Sequence, residues 1–152
     1  MKPNKEIVIE RLSADEYYKC GNIWDMEKFP YTEQFYQQIK SGNRIVFIYK
    51  INGEFIGEGS LVLENGDYTI PNERIYLSRL LVKKEYRNHG IGKKIAEFLI
   101  DKAKEWGYSE ITLGVDCDNK AAVHLYKKIG FEVYSCEEDE YGEFYKMLKK
   151  LY

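Results

Sequence analysis

Arg87-Asn88-His89-Gly90-Ile91-Gly92 lies between an apolar, strand-like run at residues 75–82 and a long stretch whose apolar residues recur at helical spacing. A glycine-rich turn at the start of a helix leaves backbone N–H groups free, and the helix dipole at that end favours negative charge. Glycine at positions 90 and 92 removes the Cβ atoms that would keep an anion away from the backbone. The stretch therefore predicts a binding site for a phosphate or pyrophosphate group.

Two well-known phosphate-binding loops do not fit this stretch. A P-loop needs glycine, four residues and then Gly-Lys-Ser/Thr, but here Gly92-Lys93 is followed by Lys94. Arg87 also stands where the first glycine of a P-loop should be. A dinucleotide-binding fingerprint needs a third glycine where this chain has Ile95. Both alternatives fail on residues that their chemistry requires, and the pattern that remains is Arg-x-x-Gly-x-Gly.

A second block, at residues 119–131, reads Asn-x-x-Ala-x-x-Leu-Tyr-x-x-x-Gly-Phe. The first block follows a strand end, Leu80-Leu81-Val82, and a helix and a strand separate it from the second block. With both blocks in this order, the chain resembles the GNAT superfamily of acetyl-CoA-dependent N-acetyltransferases. The resemblance is close over residues 75–131 and holds in outline elsewhere.

The resemblance implies a fold, a cosubstrate and a set of site residues. The fold is of the α/β (α+β) class, a GNAT fold with a mixed, mostly antiparallel twisted sheet of about seven strands flanked by about four helices. The implied cosubstrate is acetyl-CoA. Tyr126 is implied to protonate the departing thiolate, since a phenol with an ordinary pKa of about 10 is a suitable donor. The residues implied to bind the cosubstrate are Leu80, Leu81, Val82, Arg87, Asn88, His89, Gly90, Ile91, Gly92, Lys93 and Asn119.

Several of these residues also have a purely structural interpretation. Asn119 suits the N-cap of a helix, and in the family the matching asparagine also approaches the pantetheine arm. Tyr126 lies on an apolar stripe of its predicted helix, where a core tyrosine would be ordinary. Lys93 suits a solvent-facing position as well as a phosphate contact.

The sequence leaves the general base open. Family members carry an acid on one of two strands, and the matching positions here are Tyr76 and Gly114. Glu73, Glu58 or Asp116 acting through water is one alternative, and an acceptor that loses its proton before binding is another. No base is assigned.

The pattern of elements agrees with a GNAT fold. Asn52-Gly53 separates two apolar runs and predicts a tight hairpin turn. Strands are predicted at residues 7–9, 45–51, 55–63, 75–82, 111–115, 131–134 and 143–148. Helices are predicted from a capping box at residues 13–16 to about residue 24, at residues 32–40, from about residue 90 to residue 107, and at residues 119–129. The acidic residues 137–140 are predicted to form a solvated turn.

Length and composition favour a single globular domain at residues 1–152. The chain has 44% apolar and 32% charged residues, and its net charge of −2 argues against a nucleic-acid partner. No apolar run has the length of a membrane span, and residues 1–6 lack the apolar stretch of a signal peptide. Cys20, Cys117 and Cys136 are odd in number and scattered, so neither a disulfide framework nor a zinc site is predicted. We expect a cytoplasmic protein with no metal and no membrane partner.

The leading interpretation is an N-acetyltransferase that transfers acetyl from acetyl-CoA directly to a primary amine of a small molecule or peptide. Protein N-terminal or lysine acetylation is one alternative. A non-catalytic acyl-CoA-binding module is another, because both strand acids are missing, although the retained Tyr126 speaks against it. Residues 20–36 and the last hairpin are expected to surround the acceptor. The tyrosine-rich segment 141–152 offers apolar surface and predicts a homodimer.

Overall fold

The computed structural model describes residues 5–152. Its strands are β1 (Ile7–Arg11), β2 (Arg44–Ile51), β3 (Glu54–Val62), β4 (Arg74–Val82), β5 (Glu110–Asp116), β6 (Glu132–Asp139) and β7 (Gly142–Lys150). They form one seven-stranded sheet in the order β1-β2-β3-β4-β5-β7-β6. β4 pairs parallel to β5, whereas β1 with β2, β5 with β7 and β6 with β7 pair antiparallel.

Three α-helices and one long 3₁₀ helix accompany the sheet within the described residues. They are α1 (Thr32–Ser41), α2 (Ile91–Glu105) and α3 (Lys120–Lys128), with the 3₁₀ helix at Ala14–Asn22. A mixed, mostly antiparallel seven-stranded sheet with four helices confirms the predicted fold class. No helix in residues 5–152 has both the length and the apolar character needed to cross a membrane. The predicted lack of a signal peptide concerns residues 1–6, of which residues 1–4 lie outside the described residues.

The chain forms two compact units. The first comprises residues 5–61 and 79–99, and the second comprises residues 62–78 and 100–152. The single domain at residues 1–152 stays a prediction.

Glycines in β3 let α2 pack closely in the first unit. A Cβ atom added at Gly57 would lie 2.8 Å from Ile95 Cδ1, and one added at Gly59 would lie 2.7 Å from Leu99 Cδ1. Ile95 and Leu99 are fully buried, so a side chain at either glycine would push α2 away from β3. A further apolar cluster in this unit consists of Leu12, Tyr17, Cys20, Ile23, Val46, Ile48 and Phe55.

The first predicted helix is a 3₁₀ helix and has no capping box. Its buried side chains, Tyr17 and Cys20, and the following Ile23 are three residues apart, which matches the three residues per turn of a 3₁₀ helix. The Ser13 hydroxyl lies 3.5 Å from the Glu16 carboxylate and makes no side-chain cap to the helix. The predicted capping box is therefore wrong, because these two side chains bond to each other and not to the backbone.

The predicted acidic turn is mostly strand. β6 continues to Asp139, and Glu137 and Glu138 pair across the hairpin with Phe144 and Glu143. The Lys146 ammonium on β7 lies 3.0 Å from the Glu137 carboxylate and offsets its charge. The turn prediction is wrong for residues 137–139, because backbone pairing with β7 continues through them. The end of β6 therefore lies five residues beyond the predicted one, at Asp139, whereas every other predicted strand and helix has its ends within two residues of the observed ones.

The predicted hairpin turn at Asn52-Gly53 is confirmed. Both residues have positive φ angles, 50° and 82°, which is the backbone of a tight turn whose twist matches that of the flanking strands.

Candidate functional site

The predicted anion-binding loop joins β4 to α2 in the first unit. A short 3₁₀ turn, Lys84–Tyr86, comes first, and the chain then bends at residues 87–90 before α2 begins at Ile91. Asn88 and Gly90 have positive φ angles of 66° and 78°. Asparagine and glycine are the residues that best tolerate this left-handed conformation, so the sequence itself specifies the bend.

The start of α2 leaves backbone donors without an acceptor inside the helix. The Lys94 N–H donates to the Gly90 carbonyl at 3.2 Å, and the amides of residues 91–93 come before this first helical bond. A Cβ atom added at Gly92 would meet only Val82 Cγ2, 3.9 Å away, so there is open space beside this amide. A helix start of this kind can bind an anion, because its free N–H groups donate hydrogen bonds to it. A cavity of about 270 Å³ is lined by Leu80, Val82, Tyr86, Arg87, Asn88, Gly90, Ile91 and Gly92.

Seven of the predicted cosubstrate-binding residues line this cavity, all except Leu81, His89, Lys93 and Asn119. Arg87 is held at the end of β4, because its Nε donates to the Val82 carbonyl oxygen at 3.0 Å. Lys93 is exposed and lies 3.8 Å from the Glu97 carboxylate.

β4 contains a residue with left-handed backbone, Arg79, at φ 63°. A non-glycine residue in this region interrupts the regular course of a strand, as a β-bulge does. Leu80, Leu81 and Val82 follow it and are half-buried. β4 is therefore irregular at Arg79, the residue just before the three that are predicted to contact the cosubstrate.

A buried charge cluster surrounds the Arg79 side chain in the first unit. Its guanidinium carbon lies 4.1 Å from the centre of the Phe29 ring and 4.6 Å from that of Trp24. The Trp24 indole N–H and the Cys20 thiol donate hydrogen bonds to the carboxylate of Glu58. Burial raises the pKa of Glu58, and the Trp24 hydrogen bond and the charge of Arg79 oppose that rise. Sequence reasoning missed this cluster, although a charged Arg79 inside an apolar strand was a signal for it.

A larger cavity of about 770 Å³ also lies in the first unit. It is bounded by the end of the 3₁₀ helix, by the segment that leads to α1, and by residues that follow β4. This location includes part of the region expected to surround the acceptor. Its lining residues are Tyr18, Gly21, Asn22, Ile23, Trp24, Asp25, Met26, Glu27, Thr32, Lys83, Lys84 and Glu85.

Asn119 is the N-cap of α3 in the second unit. Its side-chain oxygen accepts a hydrogen bond from the Ala122 N–H at 3.2 Å, so the predicted capping role is confirmed. Its predicted contact with the cosubstrate stays a prediction.

Tyr126 is buried on α3 in the second unit. Its ring meets that of Phe131 edge to face, with ring centres 5.8 Å apart. Burial, with a smaller contribution from Tyr76, raises the pKa of Tyr126 to about 12. The phenol therefore carries its proton at neutral pH, the state that a proton donor needs.

Tyr68 fills the space beside the two positions that lack an acid. A Cβ atom added at Gly114 would lie 2.5 Å from the Tyr68 hydroxyl oxygen. The Tyr68 ring stacks on that of Tyr76, with ring centres 4.4 Å apart. Burial raises the pKa of Tyr68, so a protonated phenol stands where a side chain at position 114 would extend. Sequence reasoning missed Tyr68, because one tyrosine among 14 gives no signal of its own.

The remaining base candidates do not form one group. Glu58 is buried in the first unit, whereas Glu73 and Asp116 are exposed residues of the second unit. The base stays unassigned.

In the predicted dimer segment, Tyr141 and Tyr152 are 73% and 81% exposed, and the homodimer stays a prediction.

Comparison with known proteins identifies the family. The sequence profile of the Acetyltransferase (GNAT) family matches residues 8–131. N-alpha-acetyltransferase 30 of Schizosaccharomyces pombe is 30% identical over 103 residues, which are 67% of this chain and 67% of that protein. Thialysine N-epsilon-acetyltransferase of Sus scrofa is 40% identical over 78 residues, which are 48% of this chain and 46% of that protein. The chain belongs to the GNAT family of acetyltransferases.

A solved structure shares the fold. A GNAT family acetyltransferase from Elizabethkingia anophelis, determined with acetyl-CoA bound, has a TM-score of 0.74 at 20% identity. The match covers 95% of this chain and 97% of that chain.

Proposed function

We propose that this protein is an N-acetyltransferase that moves an acetyl group from acetyl-CoA directly to a primary amine of a small molecule or peptide. The observation that carries the proposal is the start of α2, where three amides have no helical acceptor and two of their residues, Ile91 and Gly92, line a cavity of about 270 Å³. Membership of the family supports the acetyl transfer, and the acetyl-CoA bound to the Elizabethkingia anophelis protein supports the cosubstrate.

The first unit supplies the groups that bind the phosphates. Bound acetyl-CoA supplies a thioester whose acetyl group a neutral amine attacks. The amides of Ile91, Gly92 and Lys93 and the guanidinium of Arg87 hold the negative charge of the pyrophosphate. A backbone N–H near Leu81 or Val82 polarises the acetyl carbonyl, since Arg79 interrupts the strand just before them.

The likeness to the family assigns the role of proton donor to Tyr126. Tyr126 gives the proton of its phenol to the sulfur that leaves, and its pKa of about 12 keeps that proton in place beforehand. The proton that the acceptor nitrogen loses passes to solvent, and solvent returns a proton to Tyr126. Asn119 caps α3 and adds a polar contact for the pantetheine arm.

A narrower candidate for the acceptor is a protein or peptide N-terminus. The S. pombe relative, named as an N-alpha-acetyltransferase, aligns over 67% of this chain and favours it. The Sus scrofa relative is named as an N-epsilon-acetyltransferase, and that name supports a side-chain amine as the alternative acceptor.

The binding experiment is calorimetric titration of the full chain with CoA. We expect a Kd in the micromolar range, about −8 kcal/mol. Gly92→Glu should weaken binding at least a hundredfold, because it places bulk and like charge beside the phosphates. The control is Asn65→Glu, which places the same side chain at an exposed position of the second unit. Native protein that binds no CoA, or a Gly92→Glu variant that binds normally, would reject the site.

Transfer is tested separately by thiol release from acetyl-CoA over a panel of peptides with free N-termini, N-terminally blocked lysine peptides, polyamines and aminoglycosides. Amine-dependent release confirms an enzyme, and the preferred acceptor class separates the two candidates. CoA binding without release for any amine in the panel would favour the non-catalytic acyl-CoA-binding module.

A further inference from the structure

Three side chains with metal-ligating atoms come together in the second unit. The sulfurs of Cys117 and Cys136 and a carboxylate oxygen of Glu143 all lie within 4.8 Å of one another. Cys117 follows β5 directly, Cys136 is in β6 and Glu143 is in β7. The two cysteines are far apart in the sequence, so only the pairing of three strands creates the cluster.

The strand register places these side chains on one face of the hairpin. The Cys117 N–H donates to the Glu143 carbonyl at 3.1 Å, and Cys136 lies opposite Tyr145. Glu143 and Tyr145 are two residues apart on β7, so their side chains share a face. The sulfurs of Cys117 and Cys136 lie within 4.8 Å of each other. The two thiols therefore approach each other across β7.

This geometry disfavours a disulfide between the two cysteines. β7 lies between β5 and β6 in the sheet, so Cys117 and Cys136 are separated by two strand spacings. Two spacings place their Cα atoms about 10 Å apart. A disulfide requires a Cα separation below about 7 Å, so bond formation would need the backbone to move.

We propose that Cys117, Cys136 and Glu143 form a binding site for a thiophilic divalent cation of the Zn²⁺ type. Tetrahedral zinc accepts thiolate sulfur at about 2.3 Å and carboxylate oxygen at about 2.0 Å, which puts two sulfurs somewhat less than 4 Å apart. The ligand atoms lie within 4.8 Å of one another, so reaching that spacing takes a small inward shift of the β6–β7 hairpin together with side-chain rotation. Two thiolates and one carboxylate are three protein ligands, and water takes the fourth position.

Binding exchanges protons for the metal ion. The Cys117 and Cys136 thiols each release a proton to solvent, and Zn²⁺ takes their place with no change in oxidation state. Neighbouring carboxylates, such as those of Asp116, Asp118 and Glu138, raise the local concentration of cations. The bound ion joins the end of β5 to the β6–β7 hairpin, two residues before the N-cap Asn119.

The test is titration of the metal-free full chain with ZnCl₂ under a non-chelating phosphine reductant. We expect one ion per chain, and a melting temperature about 5–10 °C higher at a hundredfold excess over Kd. Co²⁺ in place of Zn²⁺ should give a thiolate-to-metal charge-transfer band in the near ultraviolet. None of these measurements depends on acetyl transfer. Failure of the zinc proposal can therefore be told apart from failure of the proposed activity.

Variants distinguish Zn²⁺ binding at this site from nonspecific attraction of the ion to surface charge. Cys136→Ser should weaken Zn²⁺ binding at least a hundredfold and remove most of the charge-transfer band, and Glu143→Gln should weaken binding about tenfold. Two matched controls in the first unit, Cys20→Ser and the exposed Glu97→Gln, should bind Zn²⁺ as the native chain does. Circular dichroism spectra like that of the native chain show that the variants fold.

Two results would overturn the proposal. They are no stoichiometric Zn²⁺ binding by the native chain and equal binding by Cys136→Ser.

Discussion

The guanidinium carbon of Arg79 lies 4.1 Å from the centre of the Phe29 ring. Arg79 holds a left-handed backbone at φ 63° within β4, a conformation that costs about 1–3 kcal/mol for a non-glycine residue. Contact with Phe29, Trp24 and Phe35 offsets that cost, since each ring attracts the cation. The side chain therefore stabilises an irregular strand just where the proposed cosubstrate contacts begin.

Arg79→Ala should lower the free energy of unfolding by about 3 kcal/mol. The substitution removes the ring contacts and takes a cation from the buried carboxylate of Glu58. In a Glu58→Gln background the same substitution should cost at least about 1 kcal/mol less, because no buried charge is left behind. Urea unfolding of the four chains measures this coupling, with the exposed Arg11→Ala as control. Strictly additive costs would show that Arg79 and Glu58 do not stabilise each other.

The raised pKa of Glu58 predicts how stability changes with pH. The folded chain keeps the Glu58 proton above the ordinary glutamate pKa of about 4.3, where the unfolded chain has lost it. The contribution of Glu58 to stability should therefore fall as pH rises from about 4.3 to the folded-state pKa, and stay level above it. Glu58→Gln should flatten this part of the curve of unfolding free energy against pH, whereas exposed Glu97→Gln should not. Parallel curves for native and Glu58→Gln chains would contradict the shift.

Tyr68 and Gly114 should prove mutually dependent. Gly114→Ala places a Cβ atom 2.5 Å from the Tyr68 hydroxyl oxygen and should lower stability by about 1–2 kcal/mol. Tyr68→Phe removes that oxygen, and the next ring atom would then be 3.3 Å away. Gly114→Ala should accordingly cost less in the Tyr68→Phe chain, measured by thermal unfolding. An equal cost in both backgrounds would mean that the ring moves aside freely.

Features set by neighbouring residues were predictable from the sequence. Asn52-Gly53 specifies its own turn, and Asn88 and Gly90 specify the bend before α2, because each residue tolerates the left-handed backbone that it adopts. The N-cap Asn119 bonds to an amide three residues away. Local chemistry of this kind needs no knowledge of the rest of the chain.

Features that depend on distant pairing were not predictable. Cys117 and Cys136 meet only because β7 inserts between β5 and β6, and Tyr68 reaches Gly114 across 46 positions of the chain. The 3₁₀ helix at Ala14–Asn22 shows a related limit. Its three-residue spacing of buried side chains follows from the surface it covers, whereas Ser13 and Glu16 alone indicated an α-helix start.

Tyr126→Phe distinguishes a proton donor from a core residue. The change keeps the ring and its edge-to-face contact with Phe131 and removes only the hydroxyl. If Tyr126 protonates the leaving sulfur, kcat should fall on the order of 10²-fold while CoA affinity hardly changes. If Tyr126 only packs, kcat should hold and stability should shift by about 1 kcal/mol. Steady-state kinetics with CoA calorimetry on the same samples measures both.

The acyl donor and the pH give independent checks on this role. An acyl donor whose thiol has a lower pKa needs less protonation on leaving, so the loss of kcat in Tyr126→Phe should be smaller with that donor. Because its pKa is about 12, Tyr126 keeps its proton through pH 10, and native kcat should show no fall from its ionisation up to that pH. Tyr134→Phe, an exposed tyrosine of the same unit, is the control for loss of a phenol. A Tyr126→Phe chain that folds, binds CoA and turns over at the native rate would leave Tyr126 a core residue and the leaving sulfur without an assigned acid.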